Sequence, residues 1–219
     1  MPSASPSIPR FIALEGVDGA GKSTQVDFLA AWLRETGREV ITVREPGGTA
    51  LGEAVRKILL DRQEIELEAE AEALLFLASR VQLYETVVRP ALAEGRTVIT
   101  DRFHLSTLVY QGLAGELGDG RTRALLRGVL GERRPDVNIV VRVPLATCRE
   151  RLSSAPDRFE SRAGFLERVH AAFESLASGD VIGLPGDRII PVDGSAGPIA
   201  VAGEIRRLLV ASTAATGEG

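Results

Sequence analysis

The residues of this chain best suited to chemistry sit in short stretches at the ends of apolar runs. In "FIALEGVDGAGKSTQ", Gly16-x-x-x-x-Gly21-Lys22-Ser23 follows a predicted strand and opens a predicted helix, the setting in which a glycine-rich loop grips phosphate. Its glycines let backbone N–H groups converge on phosphate oxygens, Lys22 adds a point charge, and the Ser23 hydroxyl is a ligand for Mg²⁺. Gly16, Val17, Asp18, Gly19, Ala20, Gly21, Lys22, Ser23 and Thr24 are therefore the expected cradle for a nucleotide's phosphates. Asp18 is the unusual member. A carboxylate inside a phosphate loop is repelled by the nucleotide, but it is well placed to accept a hydrogen bond from a hydroxyl of a second substrate.

Two further stretches carry paired charges. "TVITDR" ends an apolar run with Asp101 and Arg102. From a strand tip, a carboxylate can hold Mg²⁺ through water while an arginine faces the same crevice. The planar fork and permanent charge of arginine suit a phosphate group. "REPGG" presents Arg44 and Glu45 in the same way, because Pro-Gly-Gly forces a turn directly after them. A phosphate loop alone does not separate a kinase from a motor ATPase or a signalling GTPase. No Asn-Lys-x-Asp guanine-reading motif follows a later strand.

The elements that must position these residues alternate along the chain. Strands are expected at "RFIALEG", "REVITVRE", "RTVITD", "VNIVVRV" and "RIIPVD". Helices are expected from Lys22 to Thr36, Leu51 to Glu94, through Leu130, from Ala146 to Ala177, and from Pro198. Gly37, Gly95 and the pair Arg134-Pro135 supply stops. Short strands without polar alternation, separated by helices, predict an α/β fold with a parallel sheet covered on both faces and ligands at the strands' carboxyl ends. One domain over residues 11–210 is expected, with flexible ends at 1–10 and 211–219. The acidic run "DRQEIELEAEAEA" reads as the solvated side of a helix.

The chain has 219 residues, 44% of them hydrophobic, and a formal net charge of -4. Nothing in that balance points to nucleic acid or membrane partners. No apolar run approaches the roughly 20 residues needed to span a bilayer. Cys148, the single cysteine, cannot form an intramolecular disulfide and reads as a small buried hydrophobe. Cytoplasmic residence is expected. His104 and His170 are too far apart in sequence to mark a local metal site.

Taken in order, "EGVDGAGKST", "REPGGTALGEAVRKILLD", "EALLFLASRVQLYETVVRPAL", "VITDRFHLSTLVYQG" and "RPDVNIVVRV" strongly resemble bacterial thymidylate kinases, over almost the whole chain from Phe11 to about Gly194. The resemblance implies a three-layer P-loop kinase fold with a five-stranded parallel sheet, a short lid at about 149–164, a homodimer, and transfer of a phosphoryl group from ATP to dTMP with Mg²⁺. It further implies that Asp18 contacts the deoxyribose 3′-hydroxyl and that Arg102 grips the dTMP phosphate, with Arg44 and Glu45 nearby. Phe76 would stack on thymine and Arg80 would donate to its O4. Ser106 and Thr107 would meet the base's other polar edge, with Gln111 close by. Tyr110 would lie under the sugar and exclude a 2′-hydroxyl. "CRERLSSAPDRFESRAGF" resembles the family's lid, so Arg149, Arg151, Arg158 and Arg162 are candidates to stabilise the transferring group, Arg158 first, and Glu160 to approach the acceptor. Ser153 stands where lid-type members often carry another arginine, and Phe173 replaces a late lid-helix tyrosine. "VDGSAG", Val192 to Gly197, is the loop expected to face adenine.

Overall fold

Five short runs rich in Val, Ile and Leu form five parallel strands: β1 (Phe11–Glu15), β2 (Val40–Arg44), β3 (Thr97–Asp101), β4 (Val137–Arg142) and β5 (Ile189–Asp193). The computed structural model describes residues 8–61, 64–152 and 164–214, with side chains as far as 212. Strand order is β2-β3-β1-β4-β5, which puts the chain's first strand at the centre of the sheet. Every residue of β1 is buried. Alternation splits them: Phe11 and Ala13 join a cluster with Leu83, Val88 and Phe103, whereas Ile12 and Leu14 join the larger core with Leu29, Leu33 and Val140. A strand apolar on both sides is what a doubly covered parallel sheet requires.

The helices are α1 (Lys22–Glu35), α2 (Ala50–Arg56), α3 (Ala69–Leu83), α4 (Arg89–Ala93), α5 (His104–Thr107), α6 (Asp119–Leu130), α7 (Leu145–Arg151), α8 (Phe165–Ser178) and α9 (Pro198–Ala214). Wider π-helical turns continue α2 over Lys57–Asp61, α3 over Tyr84–Val88 and α5 over Leu108–Leu113. Helix α1 starts directly after the glycine-rich loop and buries Val26, Leu29, Ala30 and Leu33. It packs against α9, where Gln25 Nε2 donates to Pro198 O at 3.0 Å. Helix α8 packs instead on β4, β5 and the Leu108–Leu113 turn. Parallel strands point all their carboxyl ends one way, so the tips of β1, β2 and β3, with Glu15, Arg44 and Asp101, converge on one edge.

Helix α6 ends at Leu130, as expected, but the stop is made by Gly131 at φ 54 and precedes Arg134-Pro135. Two local expectations are corrected. The acidic run is only partly helical: α3 begins at Ala69, and Glu72 is buried, not solvated. Helix α9 continues to Ala214, past the expected boundary at 210, held there by the buried Leu209 and by Arg188, whose Nη2 donates to Ser212 O. Cys148 is buried, as expected for a small hydrophobe.

Leu33 is fully buried where α1 meets the core. Leu33→Ala is expected to lower unfolding stability by about 2–5 kcal/mol through lost transfer energy and the cavity left behind. Urea unfolding checks this, with an unchanged midpoint as the contrary result.

Candidate active site

The glycine-rich loop is shaped by close backbone approach. Gly16 has φ 139, and a Cβ there would lie 2.6 Å from Val141 O; Gly19 has φ 81, and its Cβ would lie 2.7 Å from Cys148 O. Any larger residue would push the loop off β4 or α7. Lys22 opens α1, is buried, and donates from Nζ to Val17 O at 2.9 Å. Burial, then the neighbouring Arg102 charge, bring its pKa down to about 8 against the pull of Asp18, Asp101 and Glu15. Ser23 Oγ donates to Asp101 Oδ2 at 2.5 Å, so the hydroxyl of α1 and the carboxylate at the tip of β3 meet.

Arg102 follows β3 in the left-handed region, φ 70, the one described non-glycine residue with positive φ. Such a backbone costs a side-chain-bearing residue about 1–2 kcal/mol and has to be held. Its N–H donates to Leu14 O at 2.9 Å, and its carbonyl accepts from Thr100 Oγ1 at 2.7 Å. The side chain is held as firmly. Nη1 donates to Gly16 O and to Ser106 Oγ, each at 3.0 Å; Nη2 pairs with Asp18 Oδ1 and reaches the Tyr110 hydroxyl at 3.3 Å. Tyr110 donates in turn to Asp18 Oδ2 at 2.6 Å. Burial by itself would raise the Asp18 pKa, but the charges of Arg102 and Lys22 and the Tyr110 bond outweigh it and hold the carboxyl well below the usual range. Burial pushes the Tyr110 phenol well above its ordinary value, so it remains a donor.

Two cavities meet at this pair. The crevice over the glycine-rich loop is lined by Gly19, Lys22, Ser23, Thr24, Arg44, Asp101 and Arg151. A second cleft of about 120 Å³ is lined by Phe76, Arg80, Ser106, Thr107, Tyr110 and Gln111, with Leu60 and Pro46 at its edge. Asp18, Glu45, Arg56 and Arg102 line both. Those four residues therefore stand where a group in one cavity can reach a group in the other.

The second cleft is built around a buried arginine. Arg80 donates from Nε to Glu45 Oε2 at 2.5 Å, from Nη1 to Thr107 Oγ1 at 2.9 Å and from Nη2 to Phe103 O at 3.0 Å. Five N–H donors on a guanidinium leave one on each terminal nitrogen for something in the cleft. Glu45 Oε2 thus fixes Arg80 while the residue still lines both cavities, and burial raises its pKa to about 7 despite the attraction of Arg80. Ser106 and Thr107 are also committed, each holding an arginine. Phe76 is only partly buried and lines the cleft, four residues from Arg80 on the same side of α3. Gln111 Nε2 donates to the buried Glu72 Oε1 at 3.0 Å. Arg44, at the rim of the phosphate crevice, pairs with Glu53 at 3.4 Å.

Of the lid arginines, Arg151 lies on the loop, its Nη1 3.3 Å from Gly19 O, whereas Arg149 pairs with Glu167. Arg158, Glu160 and Arg162 lie outside the described residues. Sequence reasoning missed Arg56, the last residue of α2, which lines both cavities and donates from Nη1 to Pro46 O at 3.1 Å. Its signal was a basic residue inside the very stretch that follows "REPGG". Glu15 was also passed over, read only as the end of a strand.

A glycine-rich loop at the tip of the central strand, facing an acceptor-sized cleft across shared charges, defines the P-loop kinase class. The chain belongs to the thymidylate kinase family: the family model described as thymidylate kinase matches residues 14–184. A thymidylate kinase of Thiobacillus denitrificans is 45% identical over 207 residues, covering 93% of this chain and 98% of that protein. One of Clavibacter sepedonicus is 41% identical over 200 residues, covering 90% and 92%, and one of Rhodopirellula baltica 42% over 173 residues, covering 78% and 70%.

The depressed Lys22 pKa has two readable consequences. Between about 8 and 10.5 the unfolded chain holds the Lys22 proton more tightly than the folded one, so this group's contribution to stability rises with pH across that window. A polyphosphate seated beside Lys22 reverses the shift. Binding of a nucleoside triphosphate at pH 8 is therefore expected to take up roughly half a proton. Calorimetry in buffers of different ionisation enthalpy measures this, and Lys22→Arg should abolish it; equal uptake by both proteins would refute the assignment.

Proposed function

We propose that this chain catalyses transfer of the γ-phosphoryl group of ATP to dTMP, giving ADP and dTDP. The observation that carries this reading is the junction itself: Asp18, Arg56 and Arg102 line both the phosphate crevice and a cleft walled by Phe76 and Arg80. ATP is assigned to the loop Gly16–Thr24, its phosphates met by backbone N–H groups, the α1 N-terminus and Lys22. The loop 192–197 at the tip of β5 is assigned to the adenine side. The thymine ring is assigned to Phe76, with an uncommitted Arg80 N–H donating to O4. A base with an amino group at that position would set donor against donor, which disfavours cytosine.

In this reading Arg102 and Arg56 grip the dTMP phosphate, Asp18 accepts from the 3′-hydroxyl, and Tyr110 fills the space a 2′-hydroxyl would need. An oxygen of the dTMP phosphate attacks the γ-phosphorus as ADP leaves. The protein's work is to hold the two anions in line and to neutralise charge, since phosphoryl transfer needs little covalent help. Arg151 lies nearest to the loop among the described lid arginines and is assigned to the donor's phosphates; Arg158 and Glu160 keep their proposed lid roles. Ser23 Oγ and Asp101 Oδ2, hard oxygen donors brought together beside the loop, fit Mg²⁺. That ion, when bound, supplies charge screening on the polyphosphate.

Two coarser proposals accompany this one. A homodimer is supported by Leu51 of α2 and Leu74 of α3, which stand 45% and 47% exposed on helices that pack together. Sedimentation at twice 23.4 kDa is expected, and a monomer mass would remove the proposal. Cytoplasmic residence is supported by the buried free thiol of Cys148; no helix among the described residues is long and apolar enough to cross a membrane. Recovery of the protein in a membrane or periplasmic fraction would contradict it.

An ADP-release assay across the common deoxynucleoside monophosphates tests the main reading. Turnover is expected with dTMP and not with dCMP; equal rates on both, or on thymidine lacking its phosphate, would overturn it. Arg102→Ala is expected to raise KM for dTMP at least tenfold more than KM for ATP, consistent with loss of a charged contact worth about 1.4 kcal/mol or more. Equal losses for both nucleotides would remove Arg102 from its assigned place.

A further inference from the structure

Glu15 is the last residue of β1, completely buried at the centre of the sheet and preceded by four apolar residues. A carboxylate there costs several kcal/mol in desolvation unless bonded, and an apolar side chain would serve the sheet at no such cost. Its bonds all run to one place. Oε1 accepts from Phe103 N at 2.9 Å and from Ser106 N at 3.3 Å, and Oε2 accepts from Ser106 Oγ at 2.5 Å. Ser106 Oγ also accepts from Arg102 Nη1 at 3.0 Å. The carboxylate thus pins the peptide that follows Arg102, caps the first turn of α5, and orients the hydroxyl on which the guanidinium rests.

From this we propose that Glu15 is a positioning residue for the acceptor phosphate, acting through Ser106 on Arg102. Residue 102 needs such support because it sits at φ 70, a conformation that its own side chain disfavours. Leu14 O and Thr100 Oγ1 fix the peptide before and the carbonyl after; Glu15 fixes the next N–H and, by one relay, the guanidinium. With the backbone and the tip both held, the arginine is pre-organised and loses little freedom when a phosphate arrives. The inference rests on the acceptor cleft proposed above and adds a residue that does not touch the substrate.

Glu15→Gln is the direct test, because it keeps the shape but replaces one acceptor with a donor facing Phe103 N or Ser106. KM for dTMP is expected to rise tenfold or more, KM for ATP to stay within twofold, and the melting temperature to fall by only a few degrees. Ser106→Ala, which cuts the relay without touching the Glu15–Phe103 bond, should reproduce the same split. The double variant should lose less than the product of the two single losses. If both Michaelis constants rise together, or only stability falls, Glu15 is structural or acts on Lys22, and the inference is overturned. Should Glu15→Gln fail to fold, Ser106→Ala alone decides: a wild-type KM for dTMP sinks the relay. Wild-type turnover of dTMP without any split rejects this inference alone. Turnover of a different monophosphate rejects the function proposed above, and the split is then read on that acceptor.

Discussion

The site depends on one constraint: two cations, the buried Lys22 and the part-buried Arg102, and one anion, the part-buried Asp18, gather beyond the tips of adjacent strands. Asp18 separates the cations and is held ionised by them, while Arg102 keeps its proton because the surrounding carboxylates outweigh the burial that disfavours its charge. Lys22 is the member that yields, with its pKa brought down toward neutrality. Such a cluster stores electrostatic demand for an anion. In the proposed reading, a polyphosphate at Lys22 and a monophosphate at Arg102 relieve the mutual repulsion of the two cations.

Everything around the cluster keeps these groups from rotating away. The parallel sheet supplies direction, since all its carboxyl ends face one edge, and the central placement of β1 puts Glu15 and the glycine-rich loop between β3 and β4. Close backbone packing at Gly16 and Gly19 removes slack from the loop. Behind it, buried carboxylates act as anchors: Glu15 for the turn after β3, Glu45 for Arg80, Glu72 for Gln111. Each anchor spends its charge on a neighbour. Glu15 and Glu72 therefore face the protein, whereas Asp18, Glu45 and Asp101 line the crevices.

The two cavities differ in chemistry for the same reason that their substrates do. The crevice over the loop is lined mainly by charged and small residues and suits a charged tail. The cleft beyond it combines Phe76, Leu60, Pro46 and Tyr110 with a few fixed donors, which suits a planar base carrying one edge to be read. In the proposed reading, the deoxyribose falls at the junction, beside Tyr110 and Asp18.

The sequence by itself determined the strand order of types, the phosphate loop, and the charged residues that leave a strand tip, because those signals are local: a glycine spacing, an apolar run, a pair of charges where the run ends. The end of α9 at Ala214 was less legible, since a docking contact decided it. Hidden from sequence were the partners. Glu45 was read only as a phosphate neighbour and is also the buried counterion of Arg80; Glu72 looked solvated and holds Gln111; Glu15 and Arg56 drew no notice. Tertiary structure alone decided these, because whether a carboxylate faces substrate, solvent or another side chain depends on which distant element closes over it, and residues 35 to 91 positions apart along the chain carry no record in their spacing that they will meet.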